Sequence, residues 1–269
     1  MLIDIKPEDK FEIDYKNHDL FSKLDLILKF YDSLSFSVFG IVQFGTNQIF
    51  NLDSHFFSSI KGTIDSIQIL LRIGRINDAY SLIRKYYDLT LINIYTGLYL
   101  EENYSIENLI VEKIEKWRNG TESIPNYRSI ANYINNSSRL DEMNKLLKID
   151  DRYKKIRDRC NDNTHYNFYR NVLLNDNEIH NPNRIKYLDV IKKDIQNLFI
   201  QHIAYLFWVN DFYMRSCDYV DHLEVGATPP EDSEYWVANF IQEIFSEIVI
   251  PIRPDIYELI KKNTKMQLI

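Results

Sequence analysis

The chain has 269 residues, 45% of them apolar and 26% charged, and this balance excludes a disordered, collagen-like or low-complexity protein. Its formal net charge of −7 excludes nonspecific capture of nucleic acid by a globally basic surface, although it allows a local basic patch. The seven glycines and seven prolines are few for this length, which argues against a hairpin-rich β-sandwich and favours long helices.

The cysteine content and the hydropathy pattern bear on the compartment. Two cysteines, Cys160 and Cys217, are too few for a disulfide framework or a cysteine-based zinc site. We therefore expect a reduced, cytoplasmic setting. The N-terminus is too charged for a secretory signal. The most apolar stretch, residues 198–209, is shorter than the roughly 20 apolar residues of a membrane span, so we expect no membrane partner.

The first half of the chain predicts a helical hairpin. Residues 19–33 form an amphipathic pattern, whereas residues 36–50 fit either a buried strand or a helix. We favour a helix there because no second strand is available for pairing. From Phe56 onwards apolar residues recur at helical spacing up to Gly74, which suits a left-handed helix end. Asn77 is placed to cap the next helix, which would run antiparallel to the first.

Residues 101–148 are more polar and broken, and we predict an insertion over the core there. Within this segment, residues 106–117 and 123–138 are the candidate short helices. Asn119 and Gly120 follow the first of them and are suited to ending it.

The last third of the chain predicts one long helix and two shorter ones. In residues 184–218 two sets of mainly apolar positions repeat every seven residues, which predicts a seam packed on other helices in a bundle or a dimer. His202 lies in this seam and is interpreted as a hydrogen-bonded core histidine. Residues 221–232 predict a loop, and additional C-terminal helices are expected within 234–263.

Residues 139–160 predict one helix with two distinct faces. The apolar positions recur every three or four residues: Leu146, Ile149, Tyr153, Ile156 and Cys160. Basic residues follow the same rhythm on an adjoining face: Lys148, Arg152, Lys155 and Arg159. This stripe has two interpretations. It is either an ordinary solvated helix face or a surface on which Lys148, Arg152 and Lys155 bind RNA phosphates.

The polar run RDRCNDNTHYN at residues 157–167 follows the stripe directly and holds the candidate chemistry. A histidine such as His165 can move the proton of a 2′-hydroxyl or leaving group near neutral pH. An arginine such as Arg159 can hold a phosphate with two hydrogen bonds. On an unbroken helix the two side chains point about 120° apart, so they converge only if the helix ends between them or a second copy completes the site. Asn161 lies four residues before His165 and is placed to orient its ring.

Two motifs resemble those of HEPN domains, all-α proteins that commonly dimerise. Arg159-x5-His165 is similar to their Arg-x4-6-His motif. Residues 78–88 are similar to the Ala-x2-Leu-x-Arg-x3-Glu helix of uncharacterised HEPN-like bacterial proteins, with aspartate in place of the glutamate. The resemblance covers about residues 56–218, with 101–148 as the insertion.

The resemblance implies a helical bundle of HEPN type, and we predict a single all-α domain over residues 1–269. It implies a metal-independent endoribonuclease that acts in defence, as in toxin–antitoxin or abortive-infection systems. Arg159 and His165 would then be catalytic, with Asn161 or Asp162 as the polar helper. The expected partners are RNA, a second copy of the chain and an antitoxin or other regulatory protein, and no metal or other cofactor is expected.

Three alternatives remain open at this stage. His165 is equally well interpreted as a structural histidine in a polar turn. Asp158, Asp162 and His165 share one helix face and have oxygen and nitrogen ligands for a divalent ion. The whole protein is also consistent with a noncatalytic helical module that binds a protein or a nucleic acid on the same scaffold.

Overall fold

The computed structural model describes residues 11–39, 52–175, 183–228, 236–264 and 266–269. These residues are predominantly helical and hold no β-sheet, so the predicted all-α class is confirmed. In chain order the helices are α1 (Ile13–Lys16), α2 (Asp19–Phe39), α3 (Leu52–Arg72), α4 (Ile76–Asn103), α5 (Glu112–Arg118), α6 (Tyr127–Asn136), α7 (Asp141–Leu147), α8 (Arg152–Thr164), α9 (Tyr169–Val172), α10 (Arg184–Val209), α11 (Cys217–Glu224), α12 (Asn239–Ile244), α13 (Ile250–Ile252) and α14 (Pro254–Asn263).

The chain forms two compact units, and each unit consists of three separate segments of the sequence. The first unit comprises Met1–Lys29, Ser59–Leu89 and Asp151–Phe199. The second comprises Phe30–Ser58, Thr90–Asp150 and Ile200–Ile269. Because neither unit is a continuous stretch of sequence, these units do not test the prediction of one domain over residues 1–269, which stays a prediction.

The α3–α4 turn of the first unit is the predicted hairpin turn. Gly74 has φ +76°, and its N–H donates to the carbonyl of Leu71 while that of Arg75 donates to the carbonyl of Leu70. This pair of hydrogen bonds is the Schellman cap that glycine favours. The prediction that Asn77 caps the next helix was wrong, because α4 already begins at Ile76.

The cap of α4 comes instead from a distant asparagine of the same unit. The Oδ1 atom of Asn175 accepts hydrogen bonds from the backbone N–H groups of Asn77 and Asp78, at 3.0 and 3.2 Å. Its Nδ2 group also donates to the carboxylate of Asp78 at 2.7 Å. These contacts satisfy two of the N–H groups that the first turn of a helix leaves without an internal partner.

The single helix predicted over residues 139–160 is two helices in the structure. Helix α7 ends at Leu147, with Lys148 as its C-cap, and α8 begins at Arg152. Ile149 lies in the break and is 70% exposed, so it does not belong to an apolar face. The buried face of α8 consists of Tyr153, Ile156 and Cys160, as their spacing predicted, together with Asn163.

Helix α10 confirms most of the predicted seam. The positions that fall within the helix up to Tyr205 are all buried: Leu188, Ile191, Ile195, Leu198, His202 and Tyr205. The helix ends at Val209 rather than at residue 218, and a 3₁₀ turn over Asp211–Met214 precedes α11. The loop predicted at 221–232 was therefore wrong as far as Glu224, and residues 229–232 lie outside the described part.

The core of the second unit is rich in aromatic side chains. Phe30 and Phe207 lie edge to face with ring centroids 6.4 Å apart, and Phe207 and Phe245 stack at 6.1 Å. Phe245 opens a π-helical turn that ends at Val249, just before Pro251 of α13. A proline clashes with the carbonyl four residues earlier in an α-helix, and the wider turn relieves that clash.

The remaining predictions for the second unit were partly right. Helix α6 lies within the predicted 123–138 segment, whereas the helix predicted from Ile106 begins only at Glu112, and Ile106 is 92% exposed. Of residues 36–50, those up to Phe39 are helical and the others lie outside the described residues. No helix that the structure describes has the combination of length and apolarity that crossing a membrane requires.

Candidate functional site

Arg159 forms the central ion pair of the candidate site, with a buried aspartate of α10. Its Nε atom donates to Asp194 Oδ2 at 2.9 Å, and its Nη2 atom donates to Asp194 Oδ1. The Asp194 side chain is 3% exposed and that of Arg159 is 38% exposed. Burial raises the pKa of Asp194, and the two hydrogen bonds from Arg159 act in the opposite direction. The guanidinium plane is thus fixed while part of it stays open to solvent.

A groove of about 270 Å³ lies between α8 and α10 in the first unit. Its lining includes four cationic side chains and one carboxylate: Arg152, Lys155, Arg159, Lys193 and Asp194. The amide of Asn197 also lines it and accepts a hydrogen bond from Arg152 Nη1 at 3.0 Å. Four cations against one carboxylate make the groove locally positive in an acidic protein.

Of the predicted substrate-binding residues, the structure places Arg152 and Lys155 in this groove and Lys148 elsewhere. Lys148 is the C-cap of α7, a helix of the second unit, and its Nζ atom donates to the carbonyl of Asn135 at 3.4 Å. The predicted four-residue stripe is therefore not continuous along one helix. The spacing at Lys148 fits the stripe only if α8 extends back through residues 148–151, where the structure has a break.

Asn161 contacts an arginine rather than the histidine ring. Its Oδ1 atom accepts a hydrogen bond from Arg84 Nη1 at 2.8 Å. Arg84 also donates to Asp88, and Asp88 accepts a further hydrogen bond from Arg157 at 3.0 Å. Asn161 thus belongs to a charged network that joins α4 and α8, and its side chain is not placed to orient His165.

His165 is the exposed C-cap of α8. The next residue, Tyr166, has φ +51°, and the N–H groups of Tyr166 and Asn167 donate to the carbonyls of Asn163 and Asp162. This is the same Schellman geometry as at Gly74, here with a bulky residue in the left-handed region. That conformation costs a non-glycine residue about 1 kcal/mol or more. The strain lies beside the histidine that the sequence predicts to be catalytic.

Asp162 stabilises the turn that follows α8. Its Oδ1 atom accepts from Asn167 Nδ2 at 2.8 Å, and its backbone carbonyl accepts from Asn171 Nδ2 at 2.8 Å. Asn163 is buried and accepts two hydrogen bonds from the Asn77 amide. The polar run therefore ends a helix and fixes the turn after it, as competition of these side chains for backbone groups predicts.

Within the described chain, Arg159 and His165 share neither a hydrogen bond nor the lining of the α8–α10 groove. Arg159 lines the α8–α10 groove, and His165 is not among the residues that line it. The two side chains share no hydrogen bond in the described residues, in agreement with the divergence expected from their spacing on a helix. The metal alternative gains no support either, because the described residues include no group of three or more His, Cys, Asp or Glu side chains arranged to hold an ion.

Sequence reasoning missed two sets of residues near this site. Lys193 contributes a fourth cation to the groove, and no local pattern singles it out because its partners are more than 30 residues away. The second set is aromatic and exposed, and it directly follows His165: Tyr166, Phe168 and Tyr169. The alternation of aromatic and polar residues in that segment was the available signal, since bases of single-stranded RNA stack on such side chains.

Comparison of the chain with protein-family models, curated proteins and solved structures finds no match.

Proposed function

We propose that this chain is a HEPN-like, metal-independent endoribonuclease that binds RNA in the α8–α10 groove and acts in defence, as a toxin or an abortive-infection protein. The observation that carries the proposal is the groove, where four cationic side chains surround a single carboxylate. RNA phosphates neutralise such a surface, and the exposed aromatic residues after His165 offer stacking for unpaired bases.

The catalytic step rests on Arg159 and His165. In the proposed reaction His165 takes the proton of the 2′-hydroxyl, whose oxygen attacks the adjacent phosphorus. The bond to the 5′-oxygen breaks, a proton restores the leaving hydroxyl, and a 2′,3′-cyclic phosphate remains. Arg159 stabilises the charge that develops on the phosphoryl oxygens.

The separation of the two side chains favours a site that two copies complete. In such a homodimer the Arg159 of one protomer and the His165 of the other face the same phosphate. An exposed histidine at a helix end, and an arginine fixed on a groove wall, are both accessible to a second molecule.

Cleavage is tested with the purified protein, single-stranded and structured RNA, and an excess of chelator. We expect products with 2′,3′-cyclic phosphate ends from the wild type, and none from His165→Ala. The matched control is His55→Ala, since His55 is also exposed but belongs to a helix outside the groove. An uncut RNA, or equal cleavage by His165→Ala, overturns the catalytic proposal.

The composite site is tested by mixing two inactive variants, Arg159→Lys and His165→Ala. Arg159→Lys keeps a positive charge beside Asp194 but loses the pair of parallel hydrogen bonds that a guanidinium donates to a phosphate. If each site takes one residue from each protomer, random mixed dimers restore about a quarter of wild-type activity. No recovery in a mixture shown by light scattering to be dimeric means that the two residues act within one chain or not at all.

A noncatalytic RNA-binding module is the second candidate, and the Arg159–Asp194 ion pair favours it. Two of the guanidinium hydrogen bonds are already made within the protein. In this case the groove binds RNA without turnover. Lys155→Glu and Lys193→Glu should each weaken binding and lower the slope of log affinity against log salt by about 0.7 or more per lost contact with single-stranded RNA. Lys262→Glu, an exposed charge reversal on α14, serves as the control.

A further inference from the structure

The second unit contains a cavity that the proposed function does not use. It encloses about 430 Å³, within the size range of sites for small organic ligands. Its walls are mainly apolar and come from α4 and α10: Ile94, Leu100, Leu206 and Val209. Tyr104 and Tyr213 add two aromatic rings, and Asp53 supplies a carboxyl group.

The Asp53 carboxyl lies in the first turn of α3, and its side-chain hydrogen-bond donors among the described residues are neutral groups. Asn93 Nδ2 donates to Oδ1 at 2.8 Å, and the Tyr213 hydroxyl donates to Oδ2 at 2.5 Å. No cationic side chain of the described residues forms an ion pair with it. Burial in such surroundings raises the pKa of this carboxyl, and a cation from outside would favour its ionised form.

A chain of buried hydrogen bonds fixes the orientation of this carboxyl. Because Asn93 Nδ2 donates to Asp53, the Asn93 Oδ1 atom is the acceptor for His202 Nε2 at 2.9 Å. The other ring nitrogen of His202 then accepts from the Tyr31 hydroxyl at 2.8 Å. Every donor in the chain points towards Asp53, so the network stabilises negative charge on the carboxyl and holds it in place.

Gly97 lies on the cavity wall, and no neighbouring atom occupies the space that a side chain would take there. Gly97 lies within α4, where glycine destabilises a helix relative to alanine. A Cβ atom added there meets nothing within 4 Å, so no neighbouring side chain accounts for the absence of a side chain at this position. The open space at Gly97 enlarges the cavity that the Asp53 carboxyl lines.

The second acidic group of the cavity is already compensated. Glu101 lines the cavity, and its carboxylate forms an ion pair with Arg139. Asp53 and Glu101 therefore differ as partners for a cation: Asp53 is held by neutral donors, whereas Glu101 has its own arginine. This difference locates the binding position for a positive charge at Asp53.

We propose that this cavity binds a small organic cation, a protonated amine on an apolar or aromatic body, with its ammonium group on the Asp53 carboxylate. The apolar walls and the rings of Tyr104 and Tyr213, which line the same cavity, take the body of the ligand. The proposal concerns the second unit alone and does not depend on RNA binding or cleavage.

The test is a calorimetric titration of the full chain with benzylammonium, 2-phenylethylammonium and cyclohexylmethylammonium. The neutral comparison ligand is 2-phenylethanol, which has the same body as 2-phenylethylammonium without the charge. We expect at least one amine to bind with a Kd below about 1 mM, and the amine to bind at least about tenfold more tightly than the alcohol. Because burial raises the pKa of Asp53, binding should also release protons, which appears as a dependence of the heat on the buffer.

Three variants separate the contributions. Asp53→Asn should abolish the preference for amine over alcohol, and Gly97→Leu should fill the cavity and block both ligands. Glu142→Gln, at an exposed carboxylate of α7 that does not line the cavity, is the control and should keep the preference. Gly97→Leu keeps the test valid if Asp53→Asn fails to fold, since it replaces a helical glycine by a stronger helix former. The proposal is overturned if no amine binds, if alcohol and amine bind equally, or if binding persists in Gly97→Leu.

Discussion

The groove of the first unit and the cavity of the second each have an aspartate in their lining, and the hydrogen-bond donors to the two carboxyl groups differ in charge. Asp194 receives two hydrogen bonds from Arg159, a cation of its own chain. Asp53 receives two hydrogen bonds from the neutral groups of Asn93 and Tyr213. A carboxylate with its own cation serves the fold and leaves the surrounding cations available for anions. A carboxylate with only neutral donors leaves a place for a cation from outside.

The largest change in stability is expected at the Arg159–Asp194 ion pair of the groove. Arg159→Ala should lower the free energy of unfolding by about 2–3 kcal/mol, because it leaves the Asp194 carboxylate buried without its partner. This value is below the range of about 3–5 kcal/mol for fully buried pairs because Arg159 is partly exposed. Urea denaturation at pH 7 measures the change.

The double variant Arg159→Ala/Asp194→Asn gives the control. Removing both charges should recover most of the lost stability, since no uncompensated carboxylate remains. Equal destabilisation in the single and double variants would mean that packing of the arginine side chain, rather than the ion pair, is what stabilises this part of the first unit.

The next change in stability is pH-dependent and is expected at His202, in the hydrogen-bond series that ends at Asp53. Burial lowers the pKa of His202 to about 3, so the folded protein keeps this ring neutral. As the pH falls below about 6.5 the unfolded chain takes up a proton that the folded protein does not, and stability is lost. Between pH 7 and pH 5 this amounts to roughly 2 kcal/mol. His202→Gln should remove that part of the acid destabilisation, as measured by denaturation at both pH values.

Asp53, at the other end of the same series of hydrogen bonds, makes stability depend on pH in the opposite direction. Burial raises the pKa of Asp53, so its contribution to stability is present below the ordinary carboxyl pKa and is lost as the pH rises through the raised value. Asp53→Asn should therefore gain stability relative to the wild type at pH 8 compared with pH 4. Parallel pH profiles for the two proteins would show that the carboxyl stays ionised in the folded state.

The smallest effect concerns the helix that carries the groove. Tyr166→Gly should raise the free energy of unfolding by about 1 kcal/mol, because glycine adopts the left-handed conformation at this C-cap without strain. Gly74→Ala is the matched control at the same capping geometry and should lower it by a similar amount. Loss of RNA cleavage in a more stable Tyr166→Gly protein would link the strained turn to function.

The sequence predicted the parts of this protein that depend on local patterns. The turn at Gly74, the buried seam of α10 and the interpretation of His202 as a hydrogen-bonded core histidine are all confirmed. The break between α7 and α8 was missed because residues 148–151 contain neither proline nor glycine, and the apolar spacing runs through it at Ile149.

The two carboxylate sites required contacts that no local pattern reveals. Arg159 and Asp194 are 35 residues apart, and Asp53 is 160 residues from Tyr213. Asp194, Asp53 and Tyr213 lie in segments that no motif singles out, and only the folded chain brings each pair together. The predicted pair of Arg159 and His165 rests on sequence proximity alone, which a helix turns into divergent directions.

The asparagine cap of α4 has a consequence for the order of folding. The acceptor for the N–H groups of Asn77 and Asp78 belongs to Asn175, almost one hundred positions further along the chain. Closing so long a loop is slow compared with winding a helix, so the first turn of α4 stays frayed until the chain beyond α9 has docked. In a pulse-labelling experiment, the amide protons of these two residues should become protected from deuterium exchange later than those in the middle of the same helix.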